Sequence, residues 1–189
     1  MRVIAGQYRS RPLRSLPGLD IRPTADRLRE TLFNVLTAGN PDALVGSVWA
    51  DLYAGTGAVG IEALSRGAGH VYFVESSRAA ANLIRKNLGS LKIDKGVELL
   101  QSDVQVALRN LQAKRVKLDY VFLDPPYRLE SEYEKTLHFL HNSGLLTGSS
   151  VVIAEHSKKF EPLQAAEGLK AYRELVQGDA SLAFYSYGN

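Results

Sequence analysis

The chain contains no cysteine. That excludes disulfides, thiolate metal sites and a cysteine nucleophile. Long apolar runs are missing too. No stretch reaches the ~20 residues that cross a bilayer, and the opening Met1–Gly6 segment lacks the apolar core of a secretory leader. No membrane association and a cytoplasmic setting are the expectation. The four histidines, His70, His138, His141 and His156, show no metal-ligand spacing with a third partner, so no metal centre is expected. No G-x-S-x-G nucleophile elbow occurs. Internal repeats and low-complexity segments are absent as well. Net charge is small, at +3, and 189 residues hold one full hydrophobic core with little to spare. A single domain over residues 1–189, working as a monomer, is expected.

What charge there is lies unevenly. Residues 1–30 carry seven arginines, no lysine and three acids, an excess of four, and the rest is close to neutral. Arginine's planar fork bonds two phosphate oxygens at once, so this arm points to nucleic acid, against the plainer reading of a solvated basic tail. The candidates for RNA contact are Arg9, Arg11, Arg14, Arg22 and Arg27, most of them in an extension spanning residues 1–22. A helix is predicted from about Ala25 to Leu36, with Thr24 as N-cap and Leu28, Leu32, Val35 and Leu36 as its apolar stripe.

From Val48 onward strands alternate with helices. Apolar strands are predicted at 48–53, 71–74, 97–100, 119–123 and 151–154, with a closing hairpin through Tyr172–Val176, a Gly178-Asp179 turn and Leu182–Tyr187. Helices are predicted at about 58–66, from Ser77 to Leu88 with a stop near Gly89, after Asp103, and at 130–141. Strands apolar throughout imply a mainly parallel sheet with helices on both faces. Residues 45–189 would form this Rossmann-like α/β core.

The segment Gly55-Thr56-Gly57-Ala58-Val59-Gly60 leaves a strand and opens a helix, and Glu75 ends the next strand twenty residues after Gly55. Glycines allow close approach of a ligand, and the acid suits the two ribose hydroxyls of an adenosine. A nicotinamide dinucleotide and S-adenosylmethionine both fit that pattern. Charge separates them. A pyrophosphate prefers a helix N-terminus free of acids, whereas Asp51 precedes this loop and Glu62 is expected in the first helical turn. Two carboxylates suit a ligand bearing an ammonium and a sulfonium, although Glu62 also has an ordinary reading as favourable charge placement. Asp103 could meet the adenine amino group or simply cap the next helix. The expected cofactor site comprises Asp51, Tyr53, Ala54, Gly55, Thr56, Gly57 and Gly60, then Glu75 and Ser76, then Asp103 and Val104.

Asp124-Pro125-Pro126-Tyr127 closes the fourth strand of the core. An exocyclic amino group is a poor nucleophile because its lone pair is delocalised into the ring. Two acceptors, the Asp124 carboxylate and the Pro125 carbonyl, can hold its two N–H bonds and free that pair for in-line attack on a sulfonium methyl. Pro126 stiffens the loop, and Tyr127 can stack on the base. These four residues are the catalytic candidates.

Together the segments DLYAGTGAVG at 51–60 and DPPY at 124–127 resemble class I amino-methyltransferases. RPTADRLRETLFNVL at 22–36, GIEALSRGA at 60–68 and GQYRSRPL at 6–13 resemble the RsmD family, which methylates guanine N2 in bacterial 16S ribosomal RNA. Ser10 stands where that family usually has glycine between the two arginines. The resemblance implies a seven-stranded sheet with an antiparallel C-terminal hairpin, a small N-terminal RNA-binding hairpin, S-adenosylmethionine as cofactor, and 16S RNA or assembled small-subunit precursors as substrate. The residues themselves do not separate guanine N2 from adenine N6. A nucleic-acid adenine or protein-glutamine methyltransferase, a non-catalytic RNA-binding module and a nicotinamide oxidoreductase are the rival readings.

Overall fold

Burying apolar strands on both faces requires a layer of helices on each side, and the chain achieves this with one seven-stranded sheet. The computed structural model describes residues 1–15, 23–126, 130–160 and 169–187. Helix α1 (Pro23–Leu36) precedes β1 (Val48–Leu52), α2 (Ala58–Ser65), β2 (His70–Val74), α3 (Arg78–Leu91), β3 (Val97–Leu100), α4 (Val104–Ala113), β4 (Leu118–Leu123) and α5 (Glu130–Asn142). The chain then forms β5 (Leu146–Ser157), β6 (Leu169–Gln177) and β7 (Ala180–Tyr187). The strand order is β3-β2-β1-β4-β5-β7-β6. The first five strands run parallel, and β7 pairs antiparallel with β5 and β6.

Alternate strand residues feed two cores. Trp49, Phe73, Phe122 and Ile153 pack with α1, α2 and α3 on one face. Leu52, Val121, Leu123 and Val152 pack with α4 and α5 on the other. Stacking of Phe33 on Trp49 at 5.5 Å and of Trp49 on Tyr120 at 4.7 Å anchors α1 to the sheet.

Three local expectations change. Helix α1 begins at Pro23, one residue ahead of the expected cap position Thr24. Proline's fixed φ and missing N–H suit the first helical position. Gly89 does not stop α3; the helix continues to Leu91 and closes on Lys92 in a left-handed conformation. Glu62 lies beyond the first turn of α2. It is fully buried and takes no part in the glycine loop. Its oxygens accept the Ile4 N–H at 2.8 Å and the Ala5 N–H at 3.0 Å, and pair with Arg66 at 2.8 Å and Arg29 at 3.9 Å.

Glu62 therefore fixes the amino-terminal arm. Residues 1–13 form a small hairpin closed by the antiparallel Arg2–Pro12 bridge, and Val3 and Leu13 are buried. Ser10 adopts φ 66°, the left-handed region that glycine favours. Gly6 meets the backbone of Ser65 so closely that a Cβ would collide with it. Replacing Glu62 by alanine leaves Arg66 and two amides without their acceptor and takes the nearby carboxylate from Arg29. Such losses cost about 3–5 kcal/mol. Glu62→Ala is expected to lower unfolding stability by that order in urea titrations and to speed hydrogen exchange at the Ile4 and Ala5 amides. Unchanged exchange there would clear Glu62 of the anchoring role.

Candidate active site

Parallel register places the site. Leu52 pairs with Val74 on one side and Leu123 on the other, and Leu123 pairs with Ala154. The next residue along each strand, Tyr53, Glu75, Asp124 and Glu155, therefore emerges at the same carboxyl edge. The β1–β4 step is the switch point of the sheet, where crossovers leave in opposite directions and a crevice opens.

A cavity of about 290 Å³ lies there. Asp51, Tyr53, Ala54, Gly55, Thr56 and Asp124 line it, together with Asp26, Arg29, Met1, Phe122, Glu155 and Leu182. The glycine loop and Asp124 thus share one space, and Pro125 and Pro126 are not part of its wall. Pro125 is buried and Pro126 exposed; Tyr127 and Arg22 lie outside the described residues. Gly57 and Gly60 sit behind the cavity wall. A Cβ on Gly60 would enter the Phe73 ring, so glycine is needed there for α2 to lie against β2.

The turn is held by side chains. Gly60 N–H donates to Asp51 at 2.9 Å, and Gly55 N–H donates to Glu75 at 2.9 Å. The other Glu75 oxygen accepts the Ser77 N–H at 2.7 Å. Ser76 is exposed. Asp103 caps α4 by accepting the Gln105 N–H at 2.8 Å, and Val104 packs in the core. Glu75, Ser76, Asp103 and Val104 therefore stand at the β2 and β3 tips, apart from the cavity wall.

The electrostatics are unusual. Burial pushes the Asp51 carboxyl up to about 8; the Gly60 N–H opposes the shift, and the Asp124 and Glu75 charges add to it. Burial raises Asp124 to about 7. Glu155 is lifted well above the ordinary range by burial and by Asp124. Burial also pushes the Tyr53 phenol up to about 12. Four carboxylates line the cavity against one arginine, Arg29, among the described residues. Arg29 is itself held by Asp26 at 3.1 Å and by the Arg2 carbonyl at 2.6 Å. The space is built for a cationic ligand and for donors of hydrogen bonds. No group of metal-ligating residues occurs among the described residues.

Sequence reasoning missed Glu155, Arg29 and Asn87. Glu155 had a signal, an acid directly after the apolar run 151–154, as Glu75 and Asp124 follow theirs. Asn87 is fully buried on α3 and accepts the Arg14 N–H at 2.9 Å. Its amide donates to the Thr56 carbonyl at 2.9 Å, so it ties the arm to the glycine loop. Of the arm's arginines, Arg9, Arg11, Arg14 and Arg27 are exposed.

The raised Asp51 carboxyl opposes folding once it must ionise. Its folded pKa, about 8, lies above the ordinary 3.8. The neutral acid's advantage is complete below the ordinary value and is lost as pH climbs from about 4 to 8. Asp51→Asn, which keeps an acceptor for Gly60, should raise the unfolding midpoint by several degrees at pH 8 and leave it nearly unchanged at pH 4. Equal shifts at both pH values would remove this source of strain.

Known proteins match over nearly the whole length. Ribosomal RNA small subunit methyltransferase D of Escherichia coli (strain K12) is 34% identical over 187 residues, covering 98% of this chain and 89% of that protein. The protein of the same name from Haemophilus influenzae (strain ATCC 51907 / DSM 11121 / KW20 / Rd) is 34% identical over 186 residues, covering 98% and 93%. The solved structure of Escherichia coli yhhF superposes with a TM-score of 0.83 at 34% identity, covering 100% of this chain and 98% of that one. With residues 1–186 matching the family model described as Conserved hypothetical protein 95, the chain belongs to that family, the RsmD family whose motifs it carries.

Proposed function

We propose that the protein transfers a methyl group from S-adenosylmethionine to the exocyclic N2 of a guanine in 16S ribosomal RNA, alone or within the small subunit. The observation that carries the reading is the shared cavity in which the Gly55 loop, Asp51 and Asp124 meet. The ribosomal RNA methyltransferase names of the Escherichia coli and Haemophilus influenzae relatives support it. Guanine N2 is the finer part of the proposal. Acting on ribosomal RNA implies a cytoplasmic setting.

The residues fit the cofactor. A cavity lined by Asp26, Asp51, Asp124 and Glu155 suits an ammonium and a sulfonium and repels a pyrophosphate. When bound, S-adenosylmethionine supplies an electrophilic methyl group on a cationic sulfur. Asp51 takes the ammonium, with Tyr53, Ala54, Gly55 and Thr56 forming the wall beside it and Gly57 and Gly60 supporting that wall from behind. Each Glu75 oxygen already accepts one backbone N–H, which leaves lone pairs for the two ribose hydroxyls. Asp103 uses one oxygen as a cap, and its second oxygen is free for the adenine amino group, next to Ser76 and Val104.

Asp124 and the Pro125 carbonyl accept the two N–H bonds of the guanine amino group and orient its lone pair at the methyl. As the new N–C bond forms, nitrogen sheds a proton, and the ionised Asp124 is placed to receive it. Tyr127 stacks on the base, a contact worth roughly 1–3 kcal/mol. The target must be unstacked to reach this depth, and Arg9, Arg11, Arg14, Arg22 and Arg27 hold the flanking phosphates.

Two outcomes follow. Asp124→Ala should abolish methyl transfer while S-adenosylmethionine affinity by calorimetry stays within a few-fold. In the wild type, kcat/KM for RNA should climb with pH up to about 7, where Asp124 ionises, and level off above. Undiminished turnover in the variant, or a flat profile, contradicts the role. Replacing Arg9, Arg11 and Arg14 together should weaken RNA binding and flatten its salt slope by up to about three units. An unaltered slope would assign RNA contact elsewhere.

A further inference from the structure

Among the described residues the Glu155 carboxylate has no hydrogen-bond or ion-pair partner. It follows Ala154, which pairs with Leu123, so Glu155 and Asp124 stand side by side at the carboxyl edge. Both line the cavity. The Glu155 main chain is fixed, because its carbonyl accepts the Tyr133 hydroxyl at 2.6 Å. Its carboxylate makes no hydrogen bond or ion pair with the described residues, and the neighbouring charge that acts on it is Asp124. A largely buried carboxylate in that position is costly unless a ligand brings a donor to it.

Asp51 already has the Gly60 N–H and faces the glycine loop. Asp124 and Glu155 together form a pair of acceptors on adjacent strands. Among the bases, guanine presents two adjacent donor groups, the N1–H and the 2-amino group. Adenine and cytosine present an amino group beside a ring nitrogen with a lone pair, which a second carboxylate repels. We infer that Glu155 accepts the N1–H of the target guanine while Asp124 holds its 2-amino group, so that Glu155 selects guanine over the other amino-bearing bases. The inference rests on the methyl-transfer reading above and supplies a reason within this chain for its choice of base.

The test uses the full chain and small-subunit particles from a strain lacking the enzyme. Nucleoside mass spectrometry first maps the methylated guanine. RNA is then prepared with guanine or 2-aminopurine at that position; 2-aminopurine keeps the 2-amino group but has a lone pair at N1. Wild-type enzyme should prefer guanine in kcat/KM by on the order of a hundredfold or more, because a site built to receive a donor rejects an analogue lacking it. Glu155→Gln, whose amide can donate to that lone pair, should shrink the preference to within about tenfold. Glu155→Asp, which keeps the charge, should slow the reaction but preserve the preference. Thermal unfolding of each variant verifies its fold.

A Glu155→Gln enzyme that retains the wild-type preference overturns the inference. So does one whose only change is weaker S-adenosylmethionine binding, which would give Glu155 to the cofactor. In both cases guanine N2 methylation by the wild type leaves the proposed function standing. Absence of any N2-methylguanine in the wild-type reaction overturns that function and the inference with it.

Discussion

The site depends on in-register parallel pairing at the centre of the sheet. Because β2, β1 and β4 end level with one another and β5 runs in register beside β4, Glu75, Tyr53, Asp124 and Glu155 stand along one line across the sheet. Three of these are acids, and Asp51 adds a fourth from within β1. Burial raises the pKa of Asp51, Asp124 and Glu155, and neighbouring charges add to the shift at Asp51 and Glu155. The fold sustains that cost through its two apolar cores, and a cationic ligand relieves it. An arrangement that opposes folding in the empty protein favours binding.

The amino-terminal arm is joined to this edge by buried polar contacts. Glu62 accepts the Ile4 and Ala5 amides, Ser65 accepts the Tyr8 amide at 2.9 Å, and Asn87 bonds both Arg14 and Thr56. Met1 and Arg29 belong to the cavity wall. The face carrying Arg9, Arg11 and Arg14 is thereby set in fixed relation to the glycine loop. Phosphates held by the arm would present a base at a defined distance from Asp124, which is what methyl transfer requires. The same buried Glu62 explains why an acid follows the glycine loop without serving the ligand there.

Much of the architecture was legible in the order of residues. The apolar run Val71–Val74 is an interior strand with Val71, Phe73 and Val74 buried, whereas Val97–Leu100 forms the half-buried edge strand beside it. The Gly178-Asp179 turn between β6 and β7 was readable from residue type. Element ends were less so: Gly89 sits inside α3 because tertiary packing of Leu88 and Leu91 outweighs glycine's weak helix propensity. Ser10 takes a glycine-like φ because the hairpin bonds on either side of it impose the turn.

The sequence by itself determined the chemistry available: a glycine loop flanked by Asp51 and Glu75, an Asp-Pro-Pro-Tyr segment and an arginine-rich arm. These are local, since each depends on a few consecutive residues and the strand they end. Only the tertiary structure decided which acids work together. Glu62 and Asp51 are both close to the loop in the chain, yet one faces the arm and the other the cavity. Glu155 and Asp124 are thirty-one positions apart and become neighbours through the β4–β5 register. Strand pairing and helix rotation are set by the whole core, so no local pattern could assign those partners.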